Sequence, residues 1–108
     1  MSETQLKLEG RLDSNAIPLL ERRLADAVRP GNEDLLLDMT LVTFLGSLGL
    51  RAILTAARRL AGSGGRLAVC GSPEMARVFA VSGIDRVVAV RGTLAEARAA
   101  LATGRLGA

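Results

Sequence analysis

Few residues of this chain can do chemistry, and their spacing narrows what that chemistry could be. Ser47 lies in Gly46-Ser47-Leu48-Gly49, which looks like part of a Gly-x-Ser-x-Gly nucleophile elbow, the strand-to-helix turn that presents a serine hydroxyl for attack. The residue two before Ser47 is Leu45, not glycine, and the chain contains no histidine. No imidazole is available to take a hydroxyl proton, so a Ser-His-acid triad and a Cys-His dyad are both excluded. Asp13 and Asp38 stand in separate segments, neither beside a second acid or base in the pattern of acid–base catalysis. Asp13 suits a helix cap or tight turn, and Asp38 suits the end of a strand, tying down a loop. The single cysteine, Cys70, follows Leu67-Ala68-Val69 and reads as a small buried hydrophobe with no resolving thiol nearby. One cysteine and no histidine leave no zinc site, and no Gly-x-x-x-x-Gly-Lys-Ser/Thr phosphate loop is present. No catalytic residue, metal or cofactor is expected, so the chain reads as a binding or switch domain and not an enzyme.

Composition sets the frame around these residues. The chain has 108 residues, 49% hydrophobic and 23% charged. That predicts one domain over 1–108, with a core over about 5–101, too small for two domains and too apolar for disorder. Arginines or acids interrupt every apolar run, so no membrane insertion is expected. No basic, apolar and small-residue sequence opens the chain, and a lone cysteine fits a reducing compartment; a cytoplasmic location is expected. The net charge is +3. Its arginines are interleaved with acids, with no run longer than Arg22-Arg23 or Arg58-Arg59. Without tyrosine or tryptophan to stack bases, and with both phenylalanines in apolar segments, the charge reads as solvated helix faces, not a nucleic-acid site.

The elements that position these residues follow from hydrophobic period. Gln5 to Glu9 alternates polar and apolar, as a strand with one wet face does, and continues through Gly10 to Asp13. Asp13 or Ser14 can cap a helix with Pro18 in its first turn and Ile17, Leu20, Leu24, Ala27 and Val28 inward, ended by Pro30-Gly31-Asn32. Leu35-Leu36-Leu37, closed by Asp38, suits a strand covered on both faces. Leu41 to Leu45 is a second apolar piece leading into the Gly46–Gly49 turn. Leu50, Ile53, Leu54, Ala57 and Leu60 then recur at helical spacing up to Gly62–Gly65. Arg66 to Cys70 is a strand. Ser72-Pro73-Glu74 opens a helix with Met75, Val78 and Phe79 inward, which Gly83 ends. Val87 to Val90 is a last short strand. Thr93 and Glu96 form a capping box before Leu94, Ala97 and Leu101, and Gly104 to Ala108 reads as a loose tail. Strands alternating with helices predict an α/β sandwich with about four helices and a four-stranded mixed sheet, at least part of it parallel.

Five segments together resemble a known family: Gly10-Arg11-Leu12-Asp13, Leu37-Asp38-Met39-Thr40, Val42 to Leu50, Gly64-Gly65-Arg66-Leu67 and Ser82-Gly83-Ile84-Asp85. In order and spacing they resemble the STAS domain, and in particular the bacterial anti-sigma factor antagonists, from about Gln5 to about Leu101. The resemblance implies a STAS-like fold and an anti-sigma factor as partner, often an ATP-dependent serine kinase of the GHKL type. It implies transcription control by binding, with any ATP belonging to the partner. In that family the kinase phosphorylates a Ser or Thr in an Asp-Ser-Ser/Thr-Gly turn at a helix start, and the added charge ejects the antagonist.

In this chain the family's aspartate aligns with Gly46, its first serine with Ser47 and its usual phosphoacceptor with Leu48, while Gly49 and Leu50 match. Leucine cannot be phosphorylated. Three readings are open: a binding module insensitive to the usual switch, which is favoured; Ser47 as a displaced phosphoacceptor; or a branch with a different partner or ligand. The ordinary role for Ser47 is a helix cap.

The resemblance also implies docking through the turn and the following helix. The surface so implied comprises Gly46, Ser47, Leu48, Gly49, Arg51, Ala52, Thr55 and Arg59, a small apolar strip flanked by arginines that suits an acidic partner. Family antagonists usually have a further strand before the one ending in Gly-x-Leu-Asp. Only Met1 to Thr4 precede Gln5, and the edge so exposed leads to an expectation of a homodimer or an edge-on partner. The alternative function is a STAS accessory subunit of an ABC-type lipid-transport complex.

Overall fold

The computed structural model describes residues 3–28 and 34–106, with side chains as far as residue 102. The elements follow in the order β1 (Glu3–Leu12), α1 (Ile17–Ala27), β2 (Asp34–Leu45), α2 (Ser47–Gly62), β3 (Arg66–Cys70), α3 (Pro73–Ser82), a 3₁₀ turn (Ile84–Arg86), β4 (Ala89–Arg91) and α4 (Leu94–Leu106). The expected α/β sandwich with four strands and four helices is present. The sheet runs β1-β2-β3-β4, and all three pairings are parallel, so it is not mixed. The reason is topological: a helix carries the chain back between each pair of consecutive strands, and no hairpin joins any two of them.

Local chemistry explains the helix ends. The Met75 N–H donates to Ser72 Oγ (3.3 Å) at the start of α3, where proline follows the cap, and Gly83 ends that helix in the left-handed region at φ 78°. The Glu96 N–H donates to Thr93 Oγ1 (3.1 Å), and the Thr93 hydroxyl donates to the Glu96 carboxylate (3.0 Å), which opens α4. α1 differs from expectation. Its N-cap is Ala16, without a side-chain bond, because the Asp13 carboxylate instead accepts the Asn15 N–H (3.1 Å) in a tight turn. The stop expected at Pro30-Gly31-Asn32 lies outside the described residues. The last strand is displaced as well, since Ile84–Arg86 wind into a 3₁₀ turn and leave Val87 outside it and exposed. α4 reaches Leu106, so most of the expected loose tail is helical; 107–108 lie outside the described residues.

β2 holds the two layers together. Leu35, Leu36 and Leu37 are all completely buried. Alternation along the strand sends Leu35 and Leu37 toward the core shared with α1, α2 and α3, built on Leu24, Ile53, Leu60 and Phe79. Leu36 points the other way, into a smaller cluster with Ala68, Cys70, Ala97 and Leu101 under α4. The two apolar pieces read from the sequence are one twelve-residue strand. Its buried inward residues are Leu35, Leu37, Met39, Val42 and Leu45. The pairing with β1 slips between Lys7 and Glu9 and again between Gly10 and Arg11, each slip placing one extra residue in β2. Asp38 is therefore buried within the strand and does not end it.

Because Ile53 is fully buried against the sheet, we predict that Ile53→Ala lowers the unfolding free energy by about 2–5 kcal/mol in urea titration, the range for deleting a large core side chain.

Candidate functional site

At its C-terminal end β2 passes through Gly46 directly into α2. Gly46 is the N-cap, with extended backbone (φ −91°, ψ 179°), and its carbonyl accepts the Leu50 N–H at 3.1 Å. No side chain caps this helix, so the capping role expected for Ser47 is not found; Ser47 is the first helical residue and is exposed. Leu48 is also turned outward, 50% exposed. Gly49 faces inward: a Cβ there would come within 2.6 Å of Leu45 Cδ1 and 3.5 Å of the Leu12 carbonyl. Glycine thus lets the helix start settle onto the ends of β1 and β2.

Of the eight residues expected at the docking surface, Ser47, Leu48, Arg51, Thr55 and Arg59 are exposed, and Gly46 is partly so. Gly49 and Ala52 are buried and shape the surface from below. α2 rests on the sheet along Ile53, Ala57 and Leu60, while Ala52 and Ala56 are buried to one side, lining a groove with α1. Leu50 and Leu54, expected inward, are consequently only half-buried.

The groove between α1 and α2 has a volume of about 380 Å³. Ile17, Leu24 and Val28 of α1 and its C-terminal flank face Leu48, Ala52 and Ala56 of α2 across it. Its rim carries Glu21 and Ala25 on one side and Arg51, Thr55 and Arg59 on the other. Sequence reasoning reached the α2 side of this surface and missed the α1 side, since helical spacing on one element does not reveal which exposed residues of another will lie beside it.

A smaller hollow, about 170 Å³, lies on the opposite side of the turn, where Leu12, Asp13 and Ser14 approach Phe44, Gly46 and Ser47. Leu48 also lines it, so this one side chain borders both the hollow and the groove. Phe44, expected in an apolar setting, is 39% exposed. The second slip in β2 turns it outward beside Arg11, whose guanidinium carbon lies 4.6 Å from the ring centroid. Arg11 Nε is 3.7 Å from Asp13 Oδ2 in an exposed ion pair. Such a pair contributes little stability. The contact between Arg11 and the Phe44 ring is what links the ends of β1 and β2 beside the turn, while the pair with Asp13 stays local to the end of β1. The spacing of three residues from Met39 to Val42 and from Val42 to Leu45 is the signal that could have revealed the outward ring.

Asp38 and Cys70 lie at paired positions of β2 and β3. Thr40 donates to Asp38 Oδ1 from both its N–H (3.1 Å) and its hydroxyl (2.7 Å), so this carboxylate holds the first irregular stretch of β2. The Cys70 thiol is buried, 3.7 Å from the Gly92 carbonyl. Burial raises its pKa, and the charges of Asp38 and Glu96 raise it further. It therefore remains a protonated packing group and not a thiolate nucleophile. Among the described residues no group of three or more potential ligands could hold a metal ion, and no helix is long and apolar enough to cross a membrane.

A parallel sheet with two helical layers, and an outward turn leading into the second helix, define an α/β domain of the STAS class. The chain belongs to the STAS-domain family: the family model described as "Mlab, STAS domain" matches residues 1–103. It is 32% identical over 97 residues to BtrV of Bordetella bronchiseptica, named as an anti-sigma factor antagonist, spanning 89% of this chain and 84% of that protein. The crystal structure of an anti-sigma factor antagonist from Mycobacterium paratuberculosis superposes with a TM-score of 0.82 at 26% identity, over 92% of this chain and 85% of the other. The phosphorylated form of the Bacillus cell fate determinant SpoIIAA shares the fold, with a TM-score of 0.64 at 24% identity, over 82% of each chain. The chain is thus an anti-sigma factor antagonist-like STAS domain.

Two outcomes follow from this geometry. We predict that Ser47→Ala changes unfolding free energy by less than about 0.5 kcal/mol in urea titration, as for a surface residue without a capping bond. For Cys70, the folded chain retains a proton above the ordinary thiol value of 9.0 that the unfolded chain loses. Its stabilising contribution is complete below pH 9 and is lost as pH climbs through the raised value. Disulfide-exchange labelling at neutral pH is expected to be far slower in the folded chain than in urea.

Proposed function

We propose that this chain binds an anti-sigma factor, of the GHKL-type serine kinase class, through the Gly46–Leu50 turn and the exposed face of α2, and so controls transcription. The observation that carries this reading is Leu48. It is half exposed, on the wall shared by the groove and the hollow, and on the resemblance to the antagonists it takes the place of the phosphoacceptor in the turn. At that place a hydroxyl would allow phosphate to add roughly two negative charges and expel a partner. A leucine keeps the contact uncharged and adds apolar area for the partner to cover. The domain then acts as an antagonist without the usual phosphoacceptor, working in the cytoplasm without a cofactor, direct nucleic-acid contact or membrane insertion. The burial and high pKa of Cys70 and the absence of histidine support a binding role over a catalytic one.

β1 lies at one end of the sheet order. That placement supports a second copy or an edge-on partner at this strand. A sedimentation profile that stays monomeric at high concentration would remove the homodimer.

The main test is affinity purification from the native cell followed by mass spectrometry, then affinity measurement with the protein recovered. We expect an anti-sigma factor, and we expect Leu48→Asp and Arg51→Glu each to weaken binding at least tenfold while circular dichroism stays unchanged. Undiminished affinity in both variants counts against this surface. Recovery of an ABC-type ATPase instead would favour the accessory-subunit function in lipid transport.

A further inference from the structure

α2 is one-sided in charge. Its sixteen residues include Arg51, Arg58 and Arg59 and no acid. None of the three arginines has an ion-pair partner among the described residues. Arg51 and Arg59 stand on the rim of the groove with α1, eight positions apart, which sets them about 12 Å apart along the helix axis at ~1.5 Å per residue. Between them the rim is Thr55, and the floor below is Ala52 and Ala56, while the facing wall presents Ala25. Alanines at these places let another backbone come close. A trough between two neighbouring helices is also a shape that the apolar ridge of a third helix can fill.

We propose that the α1–α2 groove receives an acidic amphipathic helix of the partner protein, its apolar ridge over Ala52 and Ala56 and two carboxylates, seven or eight residues apart, meeting Arg51 and Arg59. This rests on the reading of α2 as the docking face and specifies what docks there. The arginines supply the specificity: each offers a forked donor that a carboxylate satisfies with two parallel hydrogen bonds, and a basic segment would meet uncompensated repulsion. Glu21 on the α1 rim adds direction, since it favours a lysine or arginine on the side of the incoming helix away from its carboxylates.

The test uses the full chain and two stapled helical peptides that share a leucine ridge. One carries glutamates eight residues apart beside the ridge, and the other carries lysines at the same places. We expect the glutamate peptide to bind saturably, with amide shifts centred on Ile17, Leu24 and Thr55, and to weaken as salt is raised. The lysine peptide should bind at least tenfold more weakly. Arg51→Glu with Arg59→Glu should reverse that preference. Ala25→Trp, and separately Thr55→Trp, should block the groove from exposed positions that the core does not need.

Equal binding of the two peptides, shifts centred elsewhere, or full affinity in both tryptophan variants would overturn the proposal. The two readings fail separately. An anti-sigma factor that binds the chain but is not displaced by the glutamate peptide overturns the acidic helix and leaves the antagonist function standing. A glutamate peptide seated in the groove, with no anti-sigma factor bound by the chain, supports the acidic helix and overturns the antagonist function.

Discussion

Burial of β2 on both faces is the constraint on which the rest of the structure depends. A strand with consecutive leucines at Leu35, Leu36 and Leu37 cannot satisfy all three from one side, because alternate side chains point in opposite directions. Helices are therefore required on both faces of the sheet. α1, α2 and α3 cover Leu35 and Leu37, and α4 covers Leu36. The same strand leads straight into Gly46, so the element that anchors the two layers also aims the turn at the head of α2. The turn is thus continuous with the most deeply buried segment of the molecule, which limits how far it can wander without loss of the core.

Rigid support and open chemistry meet at the turn. Gly49 is pressed against Leu45 and the end of β1, and its neighbour Leu48 is left outside. The inward member has no room for a side chain, and the outward member has an apolar one that nothing in the described structure fully covers. Arg11 and Phe44 brace the same end of the sheet from the other side. The turn is therefore fixed in place by packing and not by capping, since Gly46 offers α2 no side-chain acceptor.

Much of this was legible in the residues. The alternation in β1, the capping residues of α3 and α4, the apolar triplet of β2 and the segments resembling the STAS domain gave the α/β order and the location of the candidate surface. What was not legible has identifiable physical causes. The spacing of inward residues in β2 lengthens from two to three after Met39, so a continuous strand reads as two pieces and the outward turn of Phe44 does not show in its apolar segment. Parallel pairing throughout depends on where each helix returns the chain, which periodicity within one element does not contain. Gly49 and Ala52 lie on a helix whose buried arc is widened by a neighbouring helix, and only the packed pair shows that arc. Asp13 had two local uses, a helix cap and a turn, and the Asn15 N–H decided between them.

The two extra residues in β2 have a consequence of their own. Beyond Met39 the inside and outside of this strand are assigned by count and not by residue type alone. Thr43 is the residue that the second slip leaves without a partner in β1, so deleting it would restore plain alternation, with Phe44 still outward opposite Arg11 and Leu45 still inward opposite Leu12. The two irregular stretches are thus the places where this strand can shed a residue without exchanging its faces, and lineages one residue shorter there would be expected to keep the aim of the turn.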